Sequence, residues 1–190
     1  MANPNSPYGL KVVRHMSGNA PRANKYTITS GLAENIFTGD LVILTTNGVI
    51  EPHAATETNN IGVFAGVSYT ASDGEYVYSK YWPSGTVATD IVAYVYDDPY
   101  TVFRIQSAGT PAQTDVGACA DVVAGTGSTS TGQSGFNLNG TMSNEQQHVK
   151  LLDYGKTHQI VLLNMHSLKY SLMSTFSSRL QEYKESNLCL

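Results

Sequence analysis

Acid is missing from the first 33 residues of this chain: Glu34 is its first carboxylate, and Lys11, Arg14, Arg22 and Lys25 all precede it. Charge is scarce throughout, at 14% of 190 residues, and the chain is poor in cysteine. Cys119 and Cys189 stand far apart with no ligand spacing or redox motif around either. That argues against a disulfide framework or a thiolate metal site, and the expectation is an idle or buried thiol. No apolar run approaches the ~20 residues that cross a bilayer. No apolar stretch follows the early bases as in a secretory leader, so the expectation is a soluble protein made in a cytoplasm.

What is present is uneven. Residues 34–149 carry twelve acids against Lys80 and Arg104, a net charge of −10. A body this acidic repels phosphate, so nucleic acid is not expected as its partner. The lead, MANPNSPYGLKVVRHMSGNAPRANKY, has the opposite sign and is broken by three prolines and two glycines. It reads as an extended N-terminal arm over residues 1–23 that fits no regular element. A segment of this kind gains order by lying on something acidic. The expectation is a clamp onto a sister subunit or a larger partner, through Lys11, Arg14, His15, Arg22 and Lys25.

From Asn24 the pattern is β. The stretch NIFTGDLVILTTNGVIEPH holds an apolar run Leu41–Leu44, then Asn47-Gly48, then Val49-Ile50. Asn-Gly tolerates the positive φ of a tight turn, which predicts a hairpin. In IGVFAGVSYT, Gly62 and Gly66 predict bulges or close backbone approach inside a strand. GEYVYSKYW and DIVAYVYDD read as two alternating strands separated by Pro83 and a Ser84-Gly85 turn. TVFRIQS follows the turn residues Asp97-Asp98-Pro99, and HVKLLDY reads as the closing strand. Residues 124–144, rich in Gly, Ser, Thr and Asn, read as an exposed loop or loose hairpin. Many short strands at regular turn spacing predict an all-β single domain, a β-barrel or β-sandwich-like body over residues 24–157.

Chemistry is hard to assemble from these residues. Asp97-Asp98 resembles a carboxylate pair, but neighbours on a strand face opposite ways and a turn is the better reading. His15, His53, His148, His158 and His166 are scattered, which predicts no metal site. GTGSTSTG lacks the Lys-Ser/Thr and helix start of a phosphate loop, and no serine sits in a Gly-x-Ser-x-Gly elbow. The expectation is a protein that is not an enzyme and takes no cofactor. Tyr76, Tyr78, Tyr81, Trp82, Tyr94, Tyr96 and Tyr100 crowd into 25 residues. They suit a core edge or protein interface first, and a sugar-stacking platform second.

NPNSPYGLKVVRHMSG, SGLAENIFTGDLV, GVFAGVSYT, YSKYWPSGTVATDIVAYVYDDPYTVFRIQS and DVGACADVVAGTGSTSTGQSGF together resemble a structural-protein family of tailed bacteriophages, notably short-tailed (podovirus) and cyanobacterial phages. The resemblance spans roughly residues 3–157. It implies a capsid decoration, or cement, protein: β-rich, homotrimeric, and seated on the outer capsid surface of the virion. Its partners would then be the HK97-type major capsid protein and further copies of itself, with no nucleic acid and no membrane. The alternative is a glycan- or host-surface-binding β-sandwich module of the virion.

One departure stands against the resemblance. The family commonly closes on a strand like Lys/Glu-Val-Leu-Ile-Asn-Glu-His, whereas Thr157–Thr175 reads THQIVLLNMHSLKYSLMST. Codons for that stretch, read from their third base, can encode TPDSAAKYALSKVLINEH, and Met165-His166 must then give Ala. Residues 158–190 are therefore expected to be an atypical tail from a shifted frame, poorly packed. Leu168, Leu172, Thr175 and Arg179 align on one face if it is helical.

Overall fold

The computed structural model describes residues 6–54, 60–143, 149–154 and 159–163. The fold is all-β, with no α-helix among the described residues. Among the described residues, fourteen strands make three sheets of a sandwich-like single domain.

The first sheet starts in the lead. Strand β1 (Lys11–His15) forms its edge and pairs with β10 (Thr101–Ile105). Next come β14 (Gln159–Leu163), β13 (Val149–Tyr154), β11 (Cys119–Val123) and β12 (Asn137–Ser143), in that order. The second sheet runs β2 (Asn24–Tyr26), β9 (Ala88–Tyr96), β6 (Asn60–Ala71), β4 (Leu41–Leu44) and β5 (Ile50–Pro52). Strand β7 (Tyr76–Ser79) also pairs with β6, and β3 (Ile36–Phe37) with β8 (Tyr81–Trp82) makes a small third sheet.

β6 explains why one domain holds two cores. Successive side chains of a strand point to opposite faces, and most of β6 is buried on both. Val63 joins Leu10, Leu41, Phe103, Ile105 and Leu151 between the first two sheets. Phe64, Val67 and Tyr69 face the other way, onto Ile28, Ile36, Val42 and Trp82. Tyr69 meets Trp82 edge to face with ring centroids 5.3 Å apart.

Local chemistry sets the turns as expected at several points. Gly48, at φ +76°, closes the β4–β5 hairpin, and Thr45 N–H bonds Val49 O across it. Gly66 sits at φ +150° where the β6–β9 register shifts, the bulge its position predicts. Gly62 passes so close to the Tyr96 carbonyl that no Cβ fits there.

Other expectations need correction. The lead holds a regular strand, because β1 borrows its partner from β10, 90 residues later. GEYVYSKYW and DIVAYVYDD are not partners of each other: β7 and β9 flank β6 on either edge, and β8 leaves for β3. The polar stretch 124–144 ends in β12, where Phe136 and Leu138 are buried in the first core. HVKLLDY is not the closing strand. β14 follows it and lies between β13 and β10, so residues 159–162 of the atypical tail are paired on both sides and Leu163 with Val149 of β13. The proposed helical face over Leu168–Arg179, and Cys189, lie outside the described residues. Cys119 is a free, half-buried thiol on β11.

Candidate functional site: the seat of the basic lead

The lead wraps one corner, where the chain passes from the second sheet to the first. β9 and β10 are joined by Asp97-Asp98-Pro99-Tyr100, and the lead pairs with both arms: β1 along β10, β2 along β9. It thereby closes one edge of each large sheet. Leu10 plugs the first core at 3% exposure, its N–H on Gly39 O at 2.9 Å, while Gly9 N–H reaches Phe136 O at 3.1 Å.

The acid pair at this corner anchors the rest. His15 Nε2 donates to Asp98 Oδ2 at 3.1 Å, and its Nδ1 accepts from the Ser17 hydroxyl at 2.6 Å, an assignment that fits the neutral ring. Tyr100 lies edge-on to His15, with centroids 6.3 Å apart. Asp97 takes two bonds from Asn24 Nδ2, at 2.9 and 3.0 Å, and one from the Tyr26 hydroxyl at 2.7 Å. Burial, then the bond and charge of Asp97, push the Tyr26 phenol up to about 12. Below that the bond is intact. An open hollow of about 460 Å³ remains beside the turn, lined by His15, Asn19, Ala20, Arg22 and Asp98.

Of the five residues expected at contacts, only His15 is used within the molecule. Lys11, Arg14, Arg22 and Lys25 are exposed, and none forms an ion pair with a described residue. The lead is therefore held by backbone ladders, one core leucine and hydrogen bonds to the Asp97 and Asp98 carboxylates, and not by its lysines and arginines. Asn24 and Tyr26 were missed from sequence. The signal for them was slight: acids at the end of one strand, polar hydrogen-bond donors near the start of another.

The aromatic group divides. Trp82 is fully buried, Tyr81 stacks on Phe37 at 5.4 Å, and Tyr96 packs on Phe103 against the first core. These three lie in the core or at its edge, one of the two placements expected first for the group, and not at an open face. Tyr76 and Tyr78 share one face, as their spacing predicts, and are 66% and 69% exposed. Tyr78 leans over Gly66 towards Tyr94, ring centroids 6.0 Å apart. Tyr100 is exposed beside the lead.

Among the described residues, no three or more His, Cys, Asp or Glu side chains group closely enough to hold a metal ion. No described helix is long and apolar enough to cross a membrane. Compared with protein-family models, with curated proteins and with solved structures, the chain matches none.

Proposed function

We propose that this chain is a structural protein of a phage virion: a capsid decoration protein that seats as a homotrimer on the outside of a shell of HK97-type major capsid protein. Beside the sequence resemblance, one observation supports the reading most. The lead is paired along β9 and β10, yet its four cations are exposed and have no counter-charge among the described residues. Charge displayed on an ordered strand loses little entropy when it docks, which suits holding an acidic protein wall.

The work of such a protein is mechanical. Each contact of one copy with the shell is weak, but three linked copies bind with avidity. Binding to the expanded lattice and not to its precursor stabilises the expanded form by mass action, against heat and the outward push of packaged DNA.

Heating DNA-filled shells with and without the protein tests this. The decorated shells are expected to disrupt at a higher temperature, with copies per particle in fixed proportion to capsomers. Equal disruption temperatures would end the proposal.

A further inference from the structure

The exposed apolar side chains fall into two patches of opposite charge. The described surface carries nine exposed large hydrophobic residues, and six of them lie at the two ends of β9. Val13, Met16 and Tyr100 belong to the lead and the turn it wraps: Met16 N–H bonds Tyr100 O at 3.0 Å. Tyr76, Tyr78 and Val87 belong to the far end, around the turn between β6 and β7.

The far end is acidic. Thr70 lies opposite Tyr76 on the β6–β7 ladder and donates to Asp90 Oδ2 at 3.3 Å, which places acid and ring in one row across three strands. Asp73 and Glu75 form the adjoining turn, and no Lys or Arg occurs between Lys25 and Lys80. Seven residues of extended chain, about 23 Å, separate Asp90 from Asp97 at the lead's turn. Asp90 is thus held a strand's length from the turn that the lead wraps, with Lys25, opposite Tyr94, standing between the two.

We propose that these two patches are halves of one contact between copies of this chain: the cationic lead of one copy docks on the Tyr76–Glu75 face of the next. Arg14 and Arg22 supply guanidinium groups for carboxylates and for exposed tyrosine faces, a pairing the molecule already uses where Arg104 lies 5.9 Å from the Tyr8 ring centroid. The apolar side chains of each patch cover those of the other. Because the halves differ, the contact is head-to-tail, and copies join into a closed ring or an open chain. This rests on the reading above, in which copies of the chain associate.

Sedimentation velocity of the full chain, in low and high salt, tests the contact with two variants. Arg14→Glu/Arg22→Glu takes the four lead cations from +4 to 0. Glu75→Lys takes the three carboxylates of the far face from −3 to −1, and is chosen because Asp73 and Asp90 bond their own neighbours whereas the Glu75 carboxylate does not. Wild type is expected to assemble in low salt and to dissociate in high salt. Each variant alone is expected to associate at least about tenfold more weakly, and an equimolar mixture to form mixed pairs and nothing larger, since the intact lead of one variant then meets the intact face of the other. A monomeric wild type in low salt, assembly blind to both variants, or no mixed pairs overturns the contact. Occupation of the tyrosine face of assembled protein by free sugar would overturn it too. Shell binding by the same variants is scored separately: shells that still bind a monomeric wild type sink the contact and leave the decoration reading standing.

Discussion

Asp40 shows how much one side chain decides. It is 3% exposed, on the turn where the lead meets β6, and its Oδ2 accepts the Phe37 N–H at 2.7 Å. Burial pushes its carboxyl up to about 6, a rise that the Ser134 hydroxyl and the Phe37 N–H only partly offset. A raised folded value favours the protonated form. Stability from this group is therefore complete below the unfolded value near 4 and is lost as pH climbs through 6. A shift of about two units corresponds to about 3 kcal/mol, so the protein is expected to melt higher at pH 5 than at pH 8. Asp40→Asn keeps an acceptor for Phe37 and removes the charge. Thermal melts of that variant should be higher than wild type at pH 8 and should lose most of the acid-side rise. A variant with an unchanged pH profile would show that Asp40 is not the cause. Leu10 belongs to the same small region. Leu10→Ala removes the lead's core plug and is expected to cost about 2–5 kcal/mol, read by denaturant unfolding.

Strands differ in how plainly the sequence announces them, and the reason is where each finds its partner. β4 and β5 pair across Asn47-Gly48, so every requirement is local and legible. β6 was equally plain, down to the bulge at Gly66. β1 carries no such signal: its ladder slips between Val12 and Arg14, leaving Val13 exposed and the alternation broken. β12 hides in a polar stretch because the core contribution there is two side chains, Leu138 and, just before the strand, Phe136. The lead's anchors were unreadable for a related reason. Asp97 and Asp98 look like a turn because they are one, and nothing local says that Asn24, Tyr26 and His15 fold back onto them. A prediction follows at this scale. Asp97→Ala strips three hydrogen bonds from β2 and should speed amide exchange over residues 24–26, while β4 and β5 remain protected. Uniform exchange through both regions would mean that the lead and body open as one unit.

Across the whole molecule the lead covers edges. β1 and β2 stand at the borders of the two large sheets, and each presents exposed cations outward: Lys11 and Arg14 from β1, Lys25 from β2. Charged edge strands discourage uncontrolled strand-to-strand pairing. That property is compatible with the contact proposed above, which is made by side chains and not by open backbone.

β14 carries a consequence for how the chain comes to be built. Gln159–Leu163 threads between β10 and β13, so the ladder begun by residues 11–15 stays split from that of residues 119–154 until the stretch near position 160 emerges. A ribosome halted earlier releases two short ribbons with naked borders, prone to capture by any passing strand. The first sheet is therefore completed only when Gln159–Leu163 takes its place, and the borders of its two parts stay open until then.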